Sequence, residues 1–149
     1  VGLLINGTAI KLAGYPSKEF FIWFDDIEYC QRLNKFGPIH YYPASEILHK
    51  DNALNVSESP KTLRAPSAIP FGMQWKFLCG FRNYVYLMMH HGNKGFLWAL
   101  WILFRKIVRI LLVDSHKLTL IHFYFLYWKQ AVGFSAFHTI KPAEWNALK

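Results

Sequence analysis

Two adjacent carboxylates, Asp25 and Asp26, follow the aromatic run Phe20-Phe21-Ile22-Trp23-Phe24 and open a segment that stops at Gly37. Twelve residues beyond that glycine stands His49. A carboxylate held in place can take a proton from a hydroxyl while that oxygen attacks an electrophile, the role of a general base. A bland explanation competes: acids are favoured at helix N-termini, where the helix dipole is positive. A lone histidine such as His49 is, by itself, most often structural or exposed. From the pair alone the cap is the favoured reading; the aromatic run before it and the histidine after it together look more like a site.

The elements that must position these groups follow from pattern. Residues Val1 to Ile5 read as a short buried strand. Asn6-Gly7-Thr8 reads as a turn leading into a short helix over Ala9 to Ala13 that ends at Gly14. Phe20 to Phe24 is extended and apolar. A helix is expected from about Asp26 to Phe36, with Ile27, Cys30, Leu33 and Phe36 or Tyr29 facing inward. On it Glu28 and Arg32 stand four apart and are placed to pair. Ile39 to Tyr42 and Glu46 to His49 read as two strands around Pro43. Lys50 to Pro70 is polar and proline-bearing and reads as a long loop. From there helical periodicity predicts helices over about Met73–His90, Lys94–Val113 and Lys117–Val132.

The chain of 149 residues is long enough for one real core, and 53% hydrophobic with 18% aromatic residues excludes a disordered chain. A net charge of +8 and a pI near 9.6 point to an anionic partner. The basic residues alternate with long aliphatic runs and match no nucleic-acid motif, so nucleic acid is not the expected partner. Cys30 and Cys79 have no metal-type spacing, and a reducing, cytosolic setting fits them. No signal peptide is visible. The chain opens at Val1 directly in an apolar run, and the expectation is that it is the C-terminal part of a longer protein.

Gly95 to Phe104 is uncharged and apolar, with two tryptophans, until Arg105, Lys106 and Arg109 interrupt it. A membrane span needs about 20 apolar residues, so this run and Leu118–Trp128 are both too short. Aromatic residues beside a basic cluster fit a helix lying in the membrane interface. The alternative is a core helix with snorkelling cations. The interfacial reading is preferred because two such helices follow one another and little polar chain remains to cover them.

The segment Phe20–Leu33 with Gly37 and His49, together with Gly2–Ile5 and Ala9–Gly14, resembles glycosyltransferase family 2, especially its rhamnosyltransferase-like and galactofuranosyltransferase-like members. Trp75–Asn83, with Arg82-Asn83, resembles the aromatic-rich Arg-Asn segment that follows the catalytic domain there. The resemblance covers about the first ninety residues. It implies an α/β fold: the C-terminal portion of a GT-A glycosyltransferase domain, followed by an all-helical, membrane-associating extension. The implied division is an acceptor-side half of the catalytic domain over residues 1–52, a loop over 53–70 and a helical extension over 71–149.

The resemblance also implies roles. Asp26 becomes the base of an inverting transfer, with Asp25 beside it. Trp23 and Glu28 become acceptor-binding, Trp23 because sugars stack on indole faces and Glu28 unless Arg32 takes it. His49 becomes a ligand of the Mg²⁺ or Mn²⁺ that bridges the donor diphosphate. Arg82, Arg105, Lys106 and Arg109 are assigned to anionic lipid. The substrates implied are a nucleotide-sugar donor and a lipid-linked or polysaccharide acceptor, and the place is the cytoplasmic face of the plasma membrane, peripherally bound. The Asp-x-Asp metal motif of the family's donor-binding half is absent from this chain, so the chain alone is expected to be inactive. The competing expectation is a non-catalytic, basic membrane-binding module.

Overall fold

A computed structural model describes residues 3–20, 22–44, 69–133 and 135–148. Among these residues the elements are all helical: α1 (Gly7–Ala13), α2 (Asp25–Leu33), a 3₁₀ turn (Phe71–Met73), α3 (Gln74–His90), α4 (Phe96–Val113), α5 (Lys117–Ala131) and α6 (Pro142–Asn146). The α/β, GT-A-type expectation is therefore overturned: no strand forms over 3–5, 20–24 or 39–42 among the described residues. The Glu46–His49 strand, most of the Lys50–Pro70 loop and His49 itself lie outside the described residues.

The physical reason is clearest at the aromatic run. A strand persists only if its backbone groups pair with a neighbour's. Here the carbonyls of Glu19, Ile22 and Trp23 accept from the Arg82 and Asn83 side chains of α3 instead. Side chains replace the ladder, and the run folds into a tight turn against a helix.

The core lies among α3, α4 and α5. Leu78, Cys79, Val85, Ala99, Leu103, Ile110, Leu120, Tyr124, Tyr127 and Ala131 are all buried in it. Helix α5 packs on both α3 and α4. Polar links fix the register: the Trp128 indole N–H donates to the Ala99 carbonyl at 2.9 Å, and Gln74 Nε2 donates to buried Asp114 Oδ1 at 3.2 Å. Helix α6 closes the start of α3. Trp145 is fully buried, stacks on Phe71 at 4.7 Å between ring centroids, and donates its indole N–H to the Phe71 carbonyl at 2.6 Å.

The α1–α2 pair is held by side chains acting on helix ends. Arg32 takes both oxygens of Glu28, at 2.7 and 3.0 Å, and also donates to the carbonyls of Ala13 (2.6 Å) and Tyr15 (3.1 Å). The Tyr29 hydroxyl donates to the Gly14 carbonyl at 3.0 Å. The Ala13 and Gly14 carbonyls are orphans of the α1 C-terminus, and that of Tyr15 lies just past it. Satisfying them rotates α2 from the expected face: Glu28, Tyr29 and Leu33 are buried, while Ile27 and Phe36 are exposed.

Candidate functional site

Asp25 and Asp26 occupy the first turn of α2. They stand there because of a strained approach. Trp23 and Phe24 have φ of 62° and 66°, the left-handed region that bulky residues avoid. Each such residue costs about 1–3 kcal/mol and persists only where its surroundings over-determine it. The surroundings here are Asn83, whose Nδ2 donates to the carbonyls of Ile22 (3.1 Å) and Trp23 (2.9 Å). Asn83 is itself oriented by Arg82, whose Nε donates to Asn83 Oδ1 at 3.0 Å. No side chain caps α2. Its first-turn acids answer the dipole instead, and Asp26 Oδ1 accepts from the Ile27 N–H at 2.8 Å.

The turn places the acids on a cleft of about 850 Å³. Its lining includes Trp23, Asp25, Asp26, Phe77, Phe81 and Lys106. Trp23 lies with one ring edge on Gly80 and its indole T-shaped against Phe77, centroids 5.1 Å apart, yet it remains 42% exposed. An aromatic plane fixed on one side and open on the other suits stacking of an apolar ring face. Asp26 also borders a smaller hollow of about 400 Å³ with Ile27, Cys30, Gln31, Asn34 and Ile39. Burial pushes the Cys30 thiol up, and the Asp26 carboxylate adds to it.

Lys106 enters the cleft from α4. Its Nζ sits 4.4 Å from the centroid of the Tyr124 ring. Burial, with Arg109 nearby, lowers its pKa to about 8, and Asp114 opposes the shift. A cation of this kind is a half-desolvated donor facing the same space as the two acids.

The expected residues are thus divided. Asp25, Asp26, Trp23 and Lys106 come together at one cleft. Glu28, expected to bind acceptor, is buried with both oxygens on Arg32. Arg82, expected to face lipid, has no exposed surface. It donates to Gln130 Oε1 (3.2 Å), Thr139 Oγ1 (3.0 Å), the His138 carbonyl (3.2 Å) and the Glu19 carbonyl, between the rings of Phe137 and Tyr127. Arg105 is exposed and Arg109 half-buried.

Asn83 was missed as a site-forming residue. The signal was present: Trp75, Cys79 and Arg82, spaced by four and three, fall on the buried side of α3. A polar pair on a helix's core face has something to hold. Among the described residues no three acid, histidine or cysteine side chains gather as a metal set, and His49, the expected ligand, lies outside them. No protein-family model, curated protein or solved structure matches this chain.

Proposed function

We propose that this chain supplies the acceptor-side base of an inverting sugar transfer from a nucleotide-sugar donor, of the rhamnose or galactofuranose type, to a lipid-linked or polysaccharide acceptor. The observation that carries it is the pair Asp25–Asp26 on a cleft beside the open face of Trp23. The resemblance of Phe20–Leu33 to family 2 glycosyltransferases supports the same chemistry, without the sheet that it implied.

In this reading an acceptor ring stacks on Trp23 and presents a hydroxyl to Asp26. The carboxylate takes that proton as the oxygen bonds to the anomeric carbon. The bond from that carbon to the nucleoside diphosphate breaks, and the leaving phosphate keeps the electron pair. Asp25 orients the acceptor, and Lys106 offers a donor on the far wall.

The test is transfer of labelled sugar from nucleotide sugars into the lipid and polysaccharide fractions by the whole gene product that carries this chain. Asp26→Asn lowers transfer about 10²–10⁴-fold, the usual worth of a general base. Trp23→Ala raises KM for the acceptor more than it lowers kcat. Undiminished transfer in Asp26→Asn would sink the assignment.

A further inference from the structure

The outer face of α4 is the largest feature that the cleft does not use. Leu97, Trp101, Phe104, Val108, Leu111 and Leu112 recur at spacings of three and four and share one side of the helix. All are exposed, Leu97 by 80% and Leu112 by 79%. Trp101 and Phe104 stack on each other at 5.7 Å in solvent rather than against the core. The opposite side of α4, with Ala99, Leu103 and Ile110, is the one that packs inward. The helix is therefore apolar on both sides, and one of them has no partner among the described residues. Contiguous apolar faces of this kind mark contact surfaces.

Charge decides among occupants. From Phe71 to Lys141 the sequence has nine lysines and arginines and a single acid, Asp114. Asp114 is buried and accepts from Gln74. Arg82 is buried as well. The surface of this helical unit thus carries cations and no exposed carboxylate up to Lys141. A second copy would set cations against cations across the same face. An anionic bilayer would take both components, tails against the apolar stripe and headgroups against Lys94, Arg105 and Lys117 around it. Helix α4 bears Arg105, Lys106 and Arg109, and no helix among the described residues is long and apolar enough to cross a membrane. Lying in the interface is the arrangement left to it, with its apolar face sunk about 5–10 Å below the headgroups.

We infer that the Leu97–Leu112 face of α4 lies in the interfacial region of an anionic membrane, with Trp101 and Phe104 as the inserting rings. Arg105 supplies headgroup attraction, whereas Arg82 takes no part and Lys106 faces the cleft. The inference does not rest on sugar transfer.

Flotation with phosphatidylcholine vesicles, with and without phosphatidylglycerol, tests it. The wild-type chain floats with the anionic vesicles and is released by high salt. Arg105→Gln weakens that partition about fivefold, the worth of one interfacial cation. Trp101→Glu and Phe104→Glu abolish it while leaving the helical circular dichroism and the melting temperature intact, because both residues are exposed. Asp26→Asn floats as wild type, which separates this outcome from failure of the catalytic reading. Absence of flotation with anionic vesicles at low salt overturns the inference. So does a wild-type oligomer in sedimentation that Trp101→Glu converts to monomer, since the face would then be a contact between copies.

Discussion

The indole of Trp23 fills the space that a β-carbon on Gly80 would need: such an atom would stand 2.3 Å from Trp23 Cε3 and 3.0 Å from Cζ3. Gly80 sits within α3, where alanine normally adds about 1 kcal/mol of helix stability. Here the clash dominates, and Gly80→Ala is expected to destabilise by about 1–3 kcal/mol or to drive the ring out of place. In a Trp23→Ala background the same change becomes stabilising. Denaturant titration of the two pairs of variants reads the reversal of sign, and a common sign in both backgrounds refutes the contact.

Asn83 holds the left-handed turn from below. Asn83→Ala removes two donated hydrogen bonds and is expected to cost about 2–3 kcal/mol. The loss is local as well as global, so chymotrypsin should cut after Trp23 or Phe24 much faster in the variant than in the wild type under native conditions. A lowered melting temperature with unchanged cleavage at these sites would mean that Asn83 serves only the core.

The acids of α2 differ in what they support. Asp26 interacts with its own helix terminus, worth about 0.3–1 kcal/mol. Glu28 is buried on Arg32, and Glu28→Ala is expected to cost about 1–3 kcal/mol. Thermal unfolding should rank Glu28→Ala well below Asp26→Asn. The reverse order would make Asp26 a structural residue and undermine its role as base.

Lys106 has a folded-state pKa of about 8 against an ordinary 10.5. Between those values the unfolded chain binds more protons than the folded one, so this group makes stability rise with pH across that window. Below pH 8 the charged amine is a net burden. Lys106→Met is therefore expected to stabilise the protein at pH 7 by about 1–3 kcal/mol, and this advantage should fade as pH rises toward 10.5. The measured quantity is the difference between wild type and variant, because burial raises the Cys79 thiol and the Tyr124 and Tyr127 hydroxyls and these groups act oppositely at high pH. A pH-independent difference would mean that the amine is solvated.

The long helices were legible because their periodicity is sustained. Those expected over Met73–His90, Lys94–Val113 and Lys117–Val132 appear as Gln74–His90, Phe96–Val113 and Lys117–Ala131. The short helices were legible too, from their stops: those expected over Ala9–Ala13 and Asp26–Phe36 appear as Gly7–Ala13 and Asp25–Leu33, with the Glu28–Arg32 pair in place; the short strands were not. Phe20–Phe24 has the composition of a strand, but no strand pairs with it among the described residues, and the polar side chains that took the carbonyls of Ile22 and Trp23 lie some sixty residues away. The Asp pair and Trp23 were visible as a local motif. Lys106 joined them only through the packing of α4, which no spacing in the sequence encodes. Arg82 was misplaced for a related reason: charge alone says surface, whereas the face it shares with Trp75 and Cys79 says core.

Trp145 sets a condition on synthesis. Its contacts with Phe71 span 74 positions, so the 3₁₀ turn before α3 leaves the ribosome well before the side chain that closes it exists. At about 5–20 residues per second the interval lasts roughly 4–15 s. Throughout it Phe71 lacks the indole that covers it, while α4 and α5 emerge and present the exposed outer face of α4. A chaperone or a nearby bilayer therefore meets the start of this helical unit before α6 can close it.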